Sequence, residues 1–98
     1  MESTERIRET KYFVEDERLV LGHILINNDI LFNTVSIFNP EMFSDPDNHL
    51  IAKYMLELFQ SGQVIDLMNV TIELRKKGYA NLSYLMDIST NVQIGRAH

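Results

Sequence analysis

The sequence predicts an all-α fold, a compact bundle of five to six short helices. Apolar residues recur at helical spacing through most of the chain, and no segment of useful length alternates apolar with polar residues. Polar capping residues, Gly62, Gly78 and the two prolines fall between these periodic segments. Because 45% of the 98 residues are apolar, the chain has enough hydrophobic side chains for one small core.

The first predicted helix extends from Glu15 to Asn27. Its apolar residues are spaced so that they share one helical face: Val20, Leu21, Ile24 and Leu25. The acids Glu15, Asp16 and Glu17 occupy the first turn, where carboxylates favour the positive end of the helix dipole. We interpret them as a solvated helix end, because consecutive side chains point in different directions and cannot converge on one bond. A second, shorter helix follows, with the apolar residues Ile30, Leu31, Val35 and Phe38.

The middle of the chain carries the clearest helical pattern. Asn39-Pro40-Glu41 predicts a short helical turn, because a capping side chain precedes a proline at the first helical position. The next helix is predicted from about Asp47 to Ser61, with Gly62 as the glycine that ends it. Its apolar stripe consists of Ile51, Ala52, Met55, Leu58 and Phe59.

Two further helices are predicted in the last third. Asp66 is expected to cap a helix that carries Leu67, Val70 and Leu74 and ends at Arg75-Lys76-Lys77-Gly78. Asn81 is expected to cap a last helix with Leu82, Leu85, Met86 and Ser89 on one side. Other apolar residues lie off these stripes and predict surplus apolar surface for a partner: Met68, Ile72, Tyr79, Tyr84 and Ile88.

The residue types that carry catalysis or bind cofactors form no recognisable pattern. Cysteine is absent, which excludes disulfides and cysteine-ligated metals. His23, His49 and His98 are far apart, and His23 is interpreted as a residue at the edge of the core. Asp45, Asp47 and His49 alternate, but they lack the glycine and closing glutamate of a calcium loop, so they are interpreted as a turn and a cap. No nucleotide-binding glycine motif is present. We therefore predict no catalytic, cofactor-binding or metal-binding residue.

Charge and hydropathy limit the possible partners. Fourteen acids against nine bases give a net charge of −5, the wrong sign for a domain that mainly binds phosphates. The basic cluster Arg75-Lys76-Lys77 stands at a helix C-terminus and is best explained as a solvated tip, although a small helical DNA-binding domain remains an alternative. Apolar runs are too short to cross a bilayer, and residues 1–18 lack the apolar core of a signal peptide. We expect a cytoplasmic protein without membrane contact.

The order of the residues resembles that of a known family. The run from Glu15 to Leu25, an acidic turn followed by an apolar pair, a glycine and further apolar residues, resembles the opening helix of the N-terminal domain of bacterial replicative DNA helicases, the DnaB family. The resemblance covers about Val14 to Val92. Asn69 departs from the family's usual threonine, and Ala80-Asn81-Leu82 replaces its glycine pair. Further matches follow in the family's order: Phe43, His49, Ile51, Met55, Leu58, Gly62, Ile65, Asp66, Leu74, Gly78, Tyr84 and Leu85.

This resemblance implies an organisation and a function. Residues 1–13 are charged and lack an apolar stripe, which predicts a flexible leader. The resemblance implies a helical domain at residues 14–92 and the start of a connection at residues 93–98. In the family a helical hairpin and an ATP-hydrolysing motor domain follow, so we expect this chain to be part of a longer protein. The implied role is to organise a hexameric helicase ring and to dock primase during DNA replication. The parent's other domain would bind DNA, ATP and Mg, with no cofactor in this chain. A stand-alone helical adaptor or loader-like regulator remains the main alternative.

Overall fold

A computed structural model describes the backbone of residues 15–79 and 81–97. Within those ranges the chain forms five α-helices and one 3-10 helix and contains no strand, which confirms the predicted all-α fold. The helix α5 continues through residue 92, the predicted end of the helical domain. The predicted leader at residues 1–13 lies outside the described residues. The elements are α1 (15–26), α2 (Asp29–Thr34), the 3-10 helix (Pro40–Met42), α3 (Pro46–Gln60), α4 (Leu67–Lys76) and α5 (Leu82–Ala97).

The N-termini of α3 and α4 are fixed by aspartate caps. The Asp45 carboxylate accepts a hydrogen bond from the Asn48 backbone N–H at 3.0 Å, and Pro46 takes the first helical position. α3 therefore begins one residue before the predicted Asp47, because the residue that precedes a proline favours an extended backbone and serves as the cap. The predicted cap of α4 is confirmed, since Asp66 accepts from the Asn69 N–H at 2.8 Å.

Glycines end α3 and α4, as predicted. Gly62 and Gly78 have φ angles of 76° and 84°, in the left-handed region that residues with a Cβ rarely adopt. After α4, the backbone N–H of Gly78 donates to Arg75 O at 3.0 Å and that of Tyr79 donates to Leu74 O at 2.9 Å. These two bonds form a Schellman motif, which satisfies carbonyls that the helix end would otherwise leave without partners.

The core consists of buried side chains from each of the five α-helices and from Ile65 in the loop before α4, and α3 packs against α4 and the 3-10 helix. The apolar stripe predicted for α3 is confirmed as its buried side, and Lys53, which was predicted to lie off that stripe, is exposed. The short α2 ends at Thr34 instead of continuing to Phe38, and residues 35–37 form a turn. Asn39, which precedes Pro40, has an extended backbone, as is usual before a proline. The side chains with almost no solvent exposure are Leu21, Ile24, Leu31, Ile51, Ala52, Met55, Leu58, Ile65, Val70, Leu74, Leu85 and Ile88.

The face that α5 turns to the core differs from the prediction. Leu85 is buried as expected, but Met86 is 57% exposed, whereas Ile88, expected on the surface, is 1% exposed. Leu85 and Ile88 lie three residues apart and share a face with each other, and Tyr84 beside them reaches α3. α5 packs against α4, and its Tyr84 also bonds to Asn48 of α3. The local pattern of apolar residues does not reveal these contacts.

The corner between α1 and α2 is attached to the loop that precedes α4. The Asn28 side chain accepts from the Ile65 N–H at 2.7 Å and donates to the Ile65 carbonyl at 2.7 Å. It also donates to Ile24 O at 2.9 Å, at the end of α1. One amide therefore satisfies both backbone groups of a buried residue and fixes the corner against the loop.

Candidate functional site: interaction surfaces

The polar residues considered as metal ligands have structural contacts instead. Asp45 caps α3, and the Nδ1 atom of His49 lies 2.8 Å from Pro40 O. His23 lies on the exposed side of α1, where its Nδ1 atom is 2.7 Å from Leu19 O. Within the described ranges, no group of three His, Cys, Asp or Glu side chains is placed to hold a metal ion. His98 lies outside those ranges.

Glu17 is buried, which corrects its interpretation as part of a solvated helix end. Its side chain is 8% exposed, and its carboxylate accepts hydrogen bonds from the Ser44 N–H at 2.7 Å and the Ser44 hydroxyl at 3.1 Å. The Asn48 amide donates to the same carboxylate at 3.1 Å. A carboxylate held by several donors can be buried without a cationic partner. Glu17 therefore connects the start of α1 to the start of α3.

Asn48 extends this connection to α5. Its side chain has no solvent exposure, and its carbonyl oxygen accepts a hydrogen bond from the Tyr84 hydroxyl. The Arg18 guanidinium lies 5.4 Å from the centre of the Tyr84 ring, within the range of a cation–π contact. We call Glu17, Ser44, Asn48 and Tyr84 the polar junction. It joins α1, α3 and α5 through hydrogen bonds among these four side chains.

Tyr84 of this junction and the nearby Tyr79 both have raised pKa values. Burial raises the pKa of Tyr84 to about 12, and the nearby Asp45 carboxylate acts in the same direction. Burial also raises the pKa of Tyr79 to about 12, with a further contribution from the carboxylate of Asp47. In both cases the neutral phenol is favoured because its ionised form would lose hydration and face a negative charge. Both side chains therefore stay neutral throughout the physiological pH range.

Exposed apolar side chains lie on α4 and in the loop that precedes it. Met68 and Ile72 are one turn apart on α4 and are 71% and 44% exposed, and Val64, in the loop, is 61% exposed. We call these three residues the α4 stripe. The predicted exposure of Met68 and Ile72 is confirmed, while Tyr79 and Tyr84, expected on the same surface, are half-buried. A group of exposed large apolar side chains is typical of a protein-binding surface.

The C-terminal end of α4, next to this stripe, is basic. Arg75, Lys76 and Lys77 are all exposed, and the Lys76 ammonium lies 3.2 Å from the Glu73 carboxylate. The bases also lie at the negative end of the helix dipole, which stabilises them there. This arrangement agrees with the predicted solvated tip, and it places positive charge at one end of the α4 stripe.

A second apolar surface is an open groove of about 440 Å³ between α1, α2 and the 3-10 helix. Ile37 and Met42 in its lining are each 73% exposed. The rings of Phe38 and Phe43 lie with their centres 5.6 Å apart. Sequence reasoning did not find this groove, because several of its residues lie in turns that carry no helical periodicity. The apolar lining consists of Val20, Ile30, Ile37, Phe38, Met42 and Phe43.

The fold and these surfaces define a small all-α module whose distinctive features are exposed apolar surfaces. Residues 9–97 match the family model of the DnaB-like helicase N terminal domain. Because that match covers nearly the whole chain, the chain belongs to this family, as its sequence led us to expect. No helix of the described part is long and apolar enough to cross a membrane.

A curated relative supports the assignment. The chain is 34% identical over 83 residues to the replicative DNA helicase DnaB of Rhodothermus marinus. That match covers 81% of this chain but only 9% of the relative, so the chain spans a small part of the helicase's length. No solved structure gives a significant match to the chain.

Proposed function

We propose that this chain organises the subunit ring of a replicative DNA helicase and docks primase during DNA replication. It would act by binding alone, while another domain of the parent protein binds DNA and uses ATP and Mg to unwind it. Membership of the DnaB N-terminal family supports the proposal. The α4 stripe is the observation that carries it, because its apolar side chains are already exposed and a partner can bind them while the core stays intact.

The chemistry of the α4 stripe indicates what it would bind. Burial of a large apolar side chain contributes roughly 1.5–3 kcal/mol, so a partner that covers all three residues gains a substantial contact. The exposed bases at the end of α4 favour a partner that places acidic groups beside its own apolar side chains. We assign this surface to primase, and ring contacts to the rest of the domain.

The docking part of the proposal is tested with one substitution in the parent helicase. Met68→Asp places a charge in the centre of the α4 stripe, at a side chain that is 71% exposed and whose replacement spares the core. We expect affinity for primase, measured by isothermal titration calorimetry, to fall about tenfold or more, as for the central residue of an interface.

A matched substitution controls for general effects of added charge. Met86→Asp makes the same chemical change on α5, at a methionine that is 57% exposed. Its affinity for primase should equal that of the unchanged helicase. Equal affinities for both variants would contradict the assignment of the α4 stripe to primase.

The ring-organising part requires a separate measurement. Deletion of residues 1–92 from the parent helicase is expected to abolish primase stimulation and to disturb the hexamer. Analytical ultracentrifugation reports the oligomeric state, and an unwinding assay with added primase reports the stimulation. A truncated helicase that stays hexameric and responds to primase would contradict the proposal.

A further inference from the structure

The apolar groove lies on an acidic part of the domain. Asp16 and Glu17 contribute to its lining beside the apolar side chains. In the described part of the chain, neither carboxylate forms an ion pair with a lysine or arginine. The other lining residues all belong to the stretch between Arg18 and Lys53, which contains no lysine or arginine. The groove therefore combines apolar surface with negative charge.

The two apolar surfaces of the domain thus differ in charge. The α4 stripe ends beside Arg75, Lys76 and Lys77, whereas the described lining of the groove holds carboxylates and no basic side chain. Opposite charges beside similar apolar surfaces select different partners, because like charges that face each other across an interface repel. An apolar segment that carries lysine or arginine is therefore complementary to the groove.

The walls of the groove restrict the backbone of its occupant. They consist of α1, α2, the 3-10 helix and the residues that join the last two elements. The described part of the chain contains no strand, so these walls offer no sheet edge to which an extended segment can form backbone hydrogen bonds. A helix satisfies its own backbone groups and can place apolar side chains in a groove at intervals of three and four residues.

We propose that the groove binds an amphipathic helix of another protein, with bulky apolar side chains on one side and lysine or arginine next to them. This helix covers Ile37 and Met42, which are each 73% exposed. The aromatic pair Phe38 and Phe43 offers edge and face contacts to the apolar side chains that enter. The basic side chains face the two carboxylates of α1. This inference does not depend on the proposed function, because the groove shares no residue with the α4 stripe.

Two synthetic peptides test the proposal on the whole chain of 98 residues. Each peptide has about 18 residues, enough to form a helix, with leucine and phenylalanine along one side. One carries lysine beside these apolar residues, and the other carries glutamate. Fluorescence anisotropy follows the labelled lysine peptide while unlabelled peptides compete with it, so only binding at the same site is measured. We expect the lysine peptide to bind, and the glutamate peptide to compete about tenfold less effectively or worse.

Three variants show whether the lysine peptide occupies the groove. Ile37→Asp removes apolar surface while it adds an acid, and we expect the affinity to fall about tenfold. Met86→Asp adds the same charge outside the groove, at a side chain that is 57% exposed, and should not weaken binding. Asp16→Asn removes a charge from the lining and should weaken binding severalfold at low salt. Far-UV circular dichroism verifies that each variant is folded.

Several results would overturn the proposal. One is the absence of binding by the lysine peptide. Equal competition by the two peptides, or an unchanged affinity of Asp16→Asn at low salt, would show that charge plays no part. An unchanged affinity of Ile37→Asp would show that the peptide is attracted by the net charge of −5 alone. A dimer in analytical ultracentrifugation that both Ile37→Asp and Met68→Asp prevent would assign the groove to α4 of a second copy, and would also overturn the proposal.

Discussion

Replacement of Glu17 with alanine tests whether the buried junction or the helix dipole explains this carboxylate. Glu17→Ala removes an acceptor that is 8% exposed and has three donors within 3.1 Å. A hydrogen bond to a charged group contributes about 1.5–3 kcal/mol, and the loss of several is only partly offset by rearrangement and by water. We therefore expect the free energy of unfolding to fall by about 3 kcal/mol, a large fraction of the roughly 5–15 kcal/mol typical of a small domain.

The neighbouring acid supplies the control for this experiment. Glu15 occupies the same first turn but is exposed, so Glu15→Ala removes only a dipole contribution of about 0.3–1 kcal/mol. Urea unfolding followed by far-UV circular dichroism measures both losses, provided that the slope of the transition is the same in each variant. The dipole interpretation predicts equal losses for the two variants. A loss below about 1 kcal/mol for Glu17→Ala would refute the role assigned to the junction.

Three further predictions concern helix ends and the buried tyrosines. Asp66→Ala removes the acceptor of the Asn69 N–H and should destabilise the chain by about 0.5–2 kcal/mol in urea unfolding. Gly78→Ala places a Cβ on a residue with a φ of 84° and should lower the free energy of unfolding by about 1 kcal/mol or more in the same assay. Tyr79 and Tyr84 have pKa values of about 12 in the folded chain, whereas the ordinary value is 10.0. Their contribution to stability should therefore be complete below pH 10 and decline from pH 10 to 12. Urea unfolding at several pH values measures this decline.

Each of these three predictions has its own control. Asp66→Asn keeps a side-chain oxygen at the cap, so a loss as large as that of Asp66→Ala would contradict the capping explanation. Lys77→Ala changes the residue beside Gly78 without requiring a left-handed backbone, and an equal loss would show that φ is not the cause. Tyr84→Phe removes one titrating group, and an unchanged decline above pH 10 would exclude Tyr84 as a contributor.

The helix ends could be predicted from the sequence because their causes are local. Asp66 and the N–H that it caps are three residues apart. Gly62 and Gly78 are favoured by the positive φ angles of their own positions. The stripe on α3 was equally predictable, since its residues repeat at the helical period and its flanks are charged. Interactions between residues a few positions apart depend only on the local sequence, so they can be predicted from it.

The junction and the α5 face could not be predicted, because their causes lie far apart along the chain. Glu17 meets Ser44 across 27 residues and Asn48 across 31 residues. The residues that neighbour Glu17 in the sequence do not indicate that it is buried while Glu15 is exposed. On α5, Met86 and Ile88 are both apolar, and the packing of α5 against the other helices decides which of them is buried.

The candidate interaction surfaces were likewise predicted only where local helical periodicity determines which side chains are exposed. Met68 and Ile72 were found because α4 is regular, so residues off its buried face are necessarily exposed. The groove was missed because Ile37 belongs to a turn and Met42 to a 3-10 helix, where side-chain direction does not follow the α-helical period.

The polar junction also determines how the domain responds to salt. Its contacts are hydrogen bonds between a buried carboxylate and neutral donors, whereas the ion pair of Lys76 with Glu73, in the described part of the chain, has an exposed lysine. Dissolved ions screen exposed charges far more than buried contacts. The packing of the helices should therefore persist at ionic strengths that release proteins from DNA. In the helicase that we propose, a salt titration would weaken DNA binding while this module stays folded.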